Sequence, residues 1–455
     1  YTTPASVVRN QFKLRKGGTN DSRLFCIVKV KPHGTGRYYC LPTPQDIEVA
    51  VRASEELQRR VSNHSGKCSL VPDEELPYLR SIFNINLLDV SLWRDLFTSR
   101  QLLILTTLVF FVKKAGKEIE KEQGDDFANA IQTCLSLVVG RMADGNSSLT
   151  RWQPNRELIS NTFGRQALGI VWDFCEANPF CDATRSLSSM FDWIAKVCEH
   201  GAAISSSGHA EMASATDHPL PDDSSHLFFT DPPYYDAVPY ADLSDFFYVW
   251  LKRTVLDLYP SFFNNDLSPK EKEIVQLAER NPKYAFKTRE NYEKLMCSAL
   301  AESRRVLQSS QIGVVVFAHK TTVGWEAQLQ AMVDAGWVIT GSWPIDTEMG
   351  SRLRAMNSAA LASSIHLICR PRKNPDGSLQ ETVGDWRDVL TELPQRIHEW
   401  MPRLAEESVV GADAIFACLG PALEIFSRYS RVEKSSGEVV PLREYLEHVW
   451  ASVFK

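Results

Sequence analysis

The chain has 455 residues, of which 44% are hydrophobic and 23% are charged. This balance is typical of a globular protein with about two to four domains, and it excludes a disordered or collagen-like chain. The 50 basic and 56 acidic residues leave a net charge of -6, so overall charge neither indicates nor excludes a nucleic-acid partner.

The apolar segments are short. The longest one, Leu102 to Val112, falls well below the roughly 20 residues of a transmembrane helix, and the N-terminus has no signal-peptide pattern. The ten cysteines have no paired spacing, and Cys26 and Cys40 do not match a zinc-finger pattern. We therefore expect a cytoplasmic protein with cysteines as small core residues, without a metal site and without a membrane partner.

In chain order, short strands are predicted first and long helices second. Residues 1–85 are interpreted as a mixed attachment segment and residues 86–203 as a helical region. The predicted elements of the two regions are the strands Leu24–Val30 and Arg37–Leu41, a helix Pro44–Arg60 capped by Thr43, and the helices Thr98–Glu120, Phe127–Asp144, Gly164–Ala177 and Ser186–Glu199.

Strands and helices alternate from residue 204 to 372, which is the pattern of a sheet with crossover helices. The predicted strands are 227–230, 312–318, 337–344 and 364–371, and the predicted helices are 241–257, 291–307 and 325–335. A polar excursion, Ile345–Ala362, separates the last two strands. Residues 373–455 are predicted to be helical with one break at Gly420-Pro421.

One segment of this region carries candidate chemistry. The apolar run Leu227 to Thr230 stops at Asp231-Pro232-Pro233-Tyr234. Two prolines fix φ and remove two backbone donors, so the chain leaves the sheet in a rigid turn. Ligands of open α/β sheets bind outside the carboxyl ends of the strands, where this turn lies. The alternative is a purely structural turn with tyrosines that only pack.

Such a turn fits an exocyclic amino group on a flipped-out base. The Asp231 carboxylate and the Pro232 carbonyl can accept both amino protons, while Tyr234 offers a ring for stacking. Binding both protons draws the nitrogen lone pair out of conjugation with the base and directs it at an electrophilic methyl group.

The motif resembles the catalytic motif of methyltransferases that act on adenine N6 or cytosine N4 of DNA. More narrowly, Thr230–Asp236 with Val238–Leu251 resembles the bacterial and archaeal adenine-specific DNA methylases that carry a domain of unknown function and a zinc ribbon. Similar segments follow in the order of that family. They are Asn161–Leu168, Val315–Lys320, Thr347–Met349 with Arg352–Arg354, and Gly420–Glu424.

The resemblance implies a Rossmann-like methyltransferase α/β sheet with an added helical layer and a helical C-terminus. It also implies S-adenosylmethionine as cofactor, DNA as partner and a reaction on the flipped-out base, at adenine N6 in preference to cytosine N4. The implied catalytic residues are Asp231, Pro232, Pro233 and Tyr234. Further candidates are Tyr235 and Tyr240 for the base pocket, His319 and Lys320 for the base or a phosphate, Arg352, Arg354 and Asn357 for positioning a duplex, and Ser214 near the cofactor.

One feature of the family is missing from the sequence. We find no glycine-rich turn after a first strand, where backbone would approach the cofactor. The family carries that turn and its zinc-ribbon cysteines upstream of the part that this chain resembles. We therefore expect a C-terminal portion with an incomplete sheet, partnered by an upstream segment or subunit that carries the glycine-rich motif.

Two other functions stay open at this point. The missing glycine-rich turn favours a non-catalytic DNA-binding or assembly component that keeps the fold. Methylation of RNA or of a protein side-chain amide is the third possibility, because related folds use Asn-Pro-Pro-Tyr for glutamine. Asp231 in place of asparagine favours DNA.

Overall fold

Two units make up the fold of the chain. The computed structural model describes residues 3–15, 18–31, 36–204, 206, 208–236, 238–319, 321–346, 363–374, 376–407, 409 and 412–453. The helical unit comprises Tyr1–Gly208 and Pro239–Glu273, and the sheet unit comprises His209–Val238 and Ile274–Lys455. The predicted region 204–372 is thus divided between the two units.

The helical unit is built mainly from long helices, and side chains cap several of them. Thr43 caps the helix at residue 44 through a capping box with Asp46, and Thr98 forms the same box with Gln101. The elements of this unit are α1 (Ala5–Arg15), β1 (Ile27–Val30), β2 (Arg37–Cys40), α2 (Pro44–Ser62), α3 (Ser99–Gln123), α4 (Asp125–Gly145), β3 (Trp152–Gln153), β4 (Leu158–Ile159), α5 (Leu187–Ala202) and α6 (Tyr240–Val255).

Aromatic side chains of α6 form the core of the helical unit. Phe246 is fully buried and stacks on Phe97 with 5.6 Å between ring centroids, while Trp250 meets Phe97 edge-on. Arg253, also on α6, is buried and forms a two-pronged ion pair with Glu74 at 2.9 and 3.1 Å. The helix predicted after the motif is therefore confirmed, and it belongs to the helical unit.

The predicted helix Gly164–Ala177 is wrong, because this segment is irregular. Its backbone bonds run to distant segments instead of to residues four positions earlier. The Leu168 amide donates to the Ile82 carbonyl at 3.2 Å, and the Cys175 amide donates to the Thr150 carbonyl at 3.3 Å. Glycines at 164 and 169 also lower the helix propensity. The other helices predicted for this region, and the helix at residue 44, are confirmed within a few residues at their ends.

The sheet unit combines a four-stranded sheet with helices. Its elements are β5 (Ser225–Thr230), α7 (Arg289–Val306), β6 (Leu307–Phe317), α8 (Thr322–Asp334), β7 (Trp337–Asp346), β8 (Ser363–Pro371), β9 (Val383–Asp385), α9 (Trp386–Glu406), α10 (Ala412–Ala417), α11 (Leu419–Ser427), β10 (Arg431–Glu433) and α12 (Leu442–Val453). The predicted strands of the sheet are confirmed. The single helical break predicted at Gly420-Pro421 is wrong, because both residues lie in the first turn of α11, where a proline costs no intrahelical hydrogen bond. The predicted helical C-terminal region is interrupted instead at Cys418 and by the short strands β9 and β10.

The sheet is mixed, with the strand order β5-β6-β8-β7. β5 pairs with β6 in parallel, whereas β8 is antiparallel to both β6 and β7. Register places Phe228 opposite Gly313 and Val315 opposite Leu367. The structure therefore confirms a mixed α/β fold, and the carboxyl ends of β5 and β6 lie at the same edge of the sheet.

One side of the sheet is packed against helices, and we call it the covered face. Phe317 contacts Trp325 of α8 with 5.0 Å between ring centroids. Trp337 lies over Gly313, where a Cβ would meet its ring, and its indole N–H donates to the Leu300 carbonyl in α7 at 2.9 Å. These large side chains fix the positions of α7 and α8 next to β5 and β6.

The described residues contain neither a membrane-crossing helix nor a metal-binding cluster. No described helix is both long enough and apolar enough to span a bilayer. Groups of three or more histidine, cysteine, aspartate or glutamate side chains that could hold a metal ion are likewise not found among them.

Candidate active site

The Asp-Pro-Pro-Tyr turn begins where β5 ends at Thr230. Because β5 and β6 are parallel, the end of β6 at Phe317 lies at the same edge of the sheet. Asp231 is exposed directly after β5, and Pro232 is buried. The ring of Pro232 fixes φ and leaves no N–H for a further ladder bond, so the chain turns out of the sheet here.

Two acceptors of this turn have no partner among the described residues, namely the Asp231 carboxylate and the Pro232 carbonyl. The carbonyls of Pro233 and Tyr235, by contrast, accept hydrogen bonds. The Pro233 carbonyl accepts from the Tyr292 hydroxyl at 3.0 Å, and the Tyr235 carbonyl accepts from the Gln276 amide at 2.9 Å. The turn therefore keeps two adjacent acceptors available while its other bonds hold it in place.

Tyr292 of α7 supports the turn from the protein interior. Its side chain is fully buried, and burial raises the pKa of its phenol, so the hydroxyl stays protonated and can donate. The same hydroxyl accepts from the Tyr235 amide at 3.3 Å and lies 3.3 Å from Oε1 of Gln328 in α8. One side chain thus binds both a carbonyl and an amide of the motif turn.

Tyr235 has an uncommon backbone conformation, with φ at +28°. A bulky residue reaches positive φ only at a cost of about 1–3 kcal/mol, and surrounding bonds must hold it there. Its amide and carbonyl are both bonded, and its ring meets those of Tyr292 and His319 edge-on, with centroids 5.2 and 5.9 Å away. Burial raises the pKa of Tyr235. The strained backbone of Tyr235 therefore lies within the candidate site.

His319 closes the end of β6 beside the turn. Its Nδ1 accepts the Thr321 amide at 3.2 Å, which leaves Nε2 to carry the proton and donate to Oδ1 of Asp236 at 3.2 Å. The Asp236 carbonyl and carboxylate accept from Nη2 of Arg280 at 3.0 and 3.5 Å. His319 therefore contacts Asp236 at the edge of the sheet where the sequence predicts the end of this strand. Its predicted contact with a base or a phosphate stays a prediction.

The Tyr234 ring is half-buried and packs edge-on against Phe317, with centroids 5.2 Å apart. This contact anchors the last residue of the motif to the sheet. Its predicted stacking on a base stays a prediction.

The other predicted site residues have no described contact with this cluster or lie outside the described residues. Ser214 is in a local turn, where its hydroxyl bonds with Thr216 at 2.8 Å. Tyr240 begins α6 of the helical unit and is exposed. Their proposed roles stay predictions. Lys320, Arg352, Arg354 and Asn357 lie outside the described residues.

The described residues at this edge do not form a complete site for S-adenosylmethionine. The two parallel strands end in Asp231-Pro232-Pro233 and Ala318-His319, and neither end carries a glycine turn that backbone could use to approach a nucleotide. Gly324, in the first turn of α8, does not serve, because the His319 ring already occupies the space beside its Cα. The described strand ends therefore lack the glycine turn that the whole cofactor would need.

Several residues that hold the motif turn in place were not predicted from the sequence. Tyr292, Gln276 and Arg280 are at least 40 positions away from the motif residues that they contact, and no local pattern links them. The one available signal for Tyr292 was an aromatic residue near the start of a predicted crossover helix.

No family model, curated protein or solved structure matches the chain.

Proposed function

We propose that this chain is the base-recognition and catalytic part of an S-adenosylmethionine-dependent DNA methyltransferase. It would act on the exocyclic amino group of a flipped-out base, adenine N6 in preference to cytosine N4. The observation that carries the proposal is the pair of acceptors at the end of β5, Asp231 carboxylate and Pro232 carbonyl, which have no partner among the described residues.

The chemistry follows from what two acceptors do to an amino group. An exocyclic nitrogen donates its lone pair into the ring of the base, which makes it a poor nucleophile. When Asp231 and Pro232 bind both of its protons, the nitrogen becomes more nearly tetrahedral and its lone pair points away from the ring. A base must leave the stack to reach such a site, and Tyr234 would replace part of the lost stacking.

The hydrogen bonds that hold the turn in place are consistent with this role. Tyr292 fixes the Pro233 carbonyl and the Tyr235 amide, so the two free acceptors would need little rearrangement when a base binds. Preorganised acceptors lower the reorganisation cost in the transition state. His319 and Asp236 would form one wall of the base pocket.

The sheet also supports the proposal. Two parallel strands joined through a helix, with a ligand edge at their carboxyl ends, form the repeating unit of doubly wound α/β folds. In this proposal the sheet unit is part of a Rossmann-like methyltransferase sheet, and a segment outside these 455 residues supplies the glycine-rich turn.

A non-catalytic DNA-binding component is the second candidate. The lack of a glycine turn at the described strand ends favours it. The free acceptor pair opposes it, because a purely structural turn gains nothing from unpaired acceptors.

The test is transfer of radiolabelled methyl from S-adenosylmethionine to unmethylated bacterial DNA. The chain is assayed alone and together with the polypeptide encoded upstream of it in the same reading frame. Asp231→Ala should abolish transfer and leave duplex binding intact, whereas Asp388→Ala, at an exposed carboxylate in the same unit, should retain transfer. Full activity of Asp231→Ala would refute the mechanism. Duplex binding without transfer by any unmutated sample would favour the non-catalytic component.

A further inference from the structure

Two cysteines of the helical unit lie side by side on neighbouring helices. Sγ of Cys134 in α4 is 3.9 Å from Sγ of Cys198 in α5, so the two sulfurs are in contact. Cys134 is half-buried, whereas Cys198 is exposed, which differs from the core position predicted for the cysteines. The Cys181 thiol of the same unit instead donates to the Asn178 carbonyl at 3.0 Å. The pair on α4 and α5 therefore combines proximity of two thiols with access to solvent.

Hydrogen bonds to other parts of the helical unit hold the turn of α4 that carries Cys134. The Gln132 side chain is buried and donates to the Thr254 carbonyl at 2.8 Å. The Thr133 hydroxyl shares a hydrogen bond of 2.9 Å with the Tyr259 hydroxyl. These two bonds fix the backbone on both sides of the turn, so Cys134 has a defined position.

α5 is less well packed at its end than at its start. Its one buried side chain, among the described residues, is Met190 near the start. The Arg141 guanidinium of α4 lies over the Trp193 ring, 5.8 Å from the centroid. Every residue from 196 to 202 is exposed. The contact between the two thiols therefore lies at the end of α5 that has no buried side chain.

A disulfide between the two helices requires only a small rearrangement. The sulfurs must approach from 3.9 Å to about 2.05 Å. Rotation about χ1 moves a cysteine sulfur while the backbone stays in place. The end of α5 can also shift towards α4 without exposing a core residue, because residues 196–202 are already exposed.

The two thiols differ in their access to an oxidant. Burial, and secondly the neighbouring Cys198 thiol, raise the pKa of Cys134, which keeps this side chain protonated. Cys198 is exposed and can meet a small molecule directly. Because thiol exchange needs both access and a thiolate, Cys198 is the thiol that reacts first.

We propose that Cys134 and Cys198 form a reversible disulfide by exchange with a low-molecular-weight disulfide such as oxidised glutathione. The Cys198 thiolate attacks one sulfur of the small disulfide, forms a mixed disulfide and releases one small thiolate. Cys134 then loses its proton to solvent and attacks Sγ of Cys198, which forms the protein disulfide and releases the second thiolate. The two protein thiols are oxidised, and the small disulfide is reduced to two thiols that take up the two protons.

The disulfide attaches the exposed end of α5 to α4. It joins residues 64 positions apart, so it removes much conformational freedom from the unfolded chain. The oxidised protein should therefore unfold at a higher temperature than the reduced protein. Amide hydrogen exchange in residues 196–202 should also slow, because this end of α5 can no longer separate from α4.

The test uses the purified chain and glutathione buffers of increasing oxidised fraction. Free thiols are blocked with N-ethylmaleimide, and unreduced peptides are mapped by mass spectrometry. A peptide that links Cys134 to Cys198 should appear as the oxidised fraction rises and disappear with dithiothreitol. Cys134→Ser and Cys198→Ser should each abolish it, whereas Cys181→Ser is the matched control and should retain it. Thermal unfolding of the reduced variants checks their folding.

The same variants test the order of the two steps. Cys134→Ser should accumulate glutathione on Cys198, because no second thiol is present to displace it. Cys198→Ser should bind glutathione on Cys134 about tenfold more slowly or less, because that thiol is half-buried and its pKa is raised. Oxidation should slow hydrogen exchange in residues 196–202 of wild type and Cys181→Ser but not of Cys198→Ser.

Three results would overturn the proposal. The first is a wild-type chain that forms no link between Cys134 and Cys198 at any glutathione ratio, or that stops at a mixed disulfide on Cys198. The second is oxidation that links other cysteines while these two stay free. The third is unchanged hydrogen exchange in residues 196–202 of the linked protein. None of these measurements involves methyl transfer, so their outcome is independent of the proposed function.

Discussion

The hydroxyl of Tyr292 lies 3.0 Å from the carbonyl oxygen of Pro233, and this bond joins α7 to the motif turn. It divides the acceptors of the turn into two groups. The Pro233 carbonyl is used for support, whereas the Asp231 carboxylate and the Pro232 carbonyl have no partner among the described residues. The turn can thus be rigid and still offer two acceptors.

Tyr292→Phe tests this support. Losing the hydroxyl leaves the Pro233 carbonyl and the Tyr235 amide unpaired, so we expect a loss of about 1–3 kcal/mol in the free energy of unfolding. We also expect faster hydrogen exchange at the Tyr235 amide, since that amide donates to the hydroxyl. Hydrogen exchange with mass spectrometry and chemical denaturation measure the two effects.

Tyr445→Phe is the matched control for that experiment. Tyr445 is also a buried tyrosine of the sheet unit, and its hydroxyl donates to the Ala422 carbonyl, away from the motif. It should lose stability without a change in exchange at Tyr235. Equal exchange at Tyr235 in wild type and Tyr292→Phe would contradict the supporting role of Tyr292.

Breaking the Glu74–Arg253 ion pair of the helical unit is predicted to be strongly destabilising. Both side chains are buried, and Arg253 also donates to the Val71 carbonyl at 2.6 Å. Glu74→Gln leaves a buried guanidinium without its counter-charge, which costs about 3–5 kcal/mol. Asp73→Asn removes a neighbouring exposed carboxylate 3.7 Å from Arg253 and should cost less than about 1 kcal/mol. Urea denaturation of both variants measures the two losses in the free energy of unfolding. Equal losses would show that burial of the carboxylate does not determine the cost of removing its charge.

Gly420→Ala should disrupt the contact between α11 and β7. The Gly420 amide donates to the Ser342 hydroxyl at 2.7 Å, and a Cβ at Gly420 would overlap the backbone of Gly341 and Ser342. Because backbone cannot move aside as a side chain can, we expect a loss of about 1–3 kcal/mol or more. Gly437→Ala tests strain alone, since its φ is +82° and its surroundings are open. A thermal midpoint of Gly420→Ala equal to that of wild type would contradict the close contact.

The ion pairs of Asp257 should make the stability of the helical unit depend on pH. Lys113 and Lys67 donate to its carboxylate at 2.7 and 2.9 Å and lower the pKa of Asp257 from 3.8 to about 2. A lowered pKa in the folded state stabilises the protein above the usual pKa, and this stabilisation disappears as the pH falls from about 4 towards about 2. Urea midpoints of wild type and Asp257→Asn should differ near neutral pH and converge in acid. A difference that persists below that range would contradict the assignment, and Lys67→Met with Lys113→Met should reproduce the effect.

Local patterns predicted the strand before Asp231 and the crossover helix that contains Tyr292, because alternation and amphipathic spacing are properties of short segments. They did not predict that Tyr292 would bind Pro233, since that bond joins residues 59 positions apart. The same limit explains the error at Gly164–Ala177. Its apolar spacing resembles a helix, yet backbone bonds to Ile82 and Thr150 hold it in an irregular path.

The most direct test of the central claim is the identity of the methylated nucleoside. Unmethylated bacterial DNA is treated with S-adenosylmethionine and the chain together with its upstream polypeptide, then digested and analysed by mass spectrometry. The proposed amino-group site predicts N6-methyladenine, or N4-methylcytosine, that disappears with Asp231→Ala. A methyl group on ring carbon, or an amino-methylated product that persists in Asp231→Ala, would contradict the role of Asp231 and Pro232.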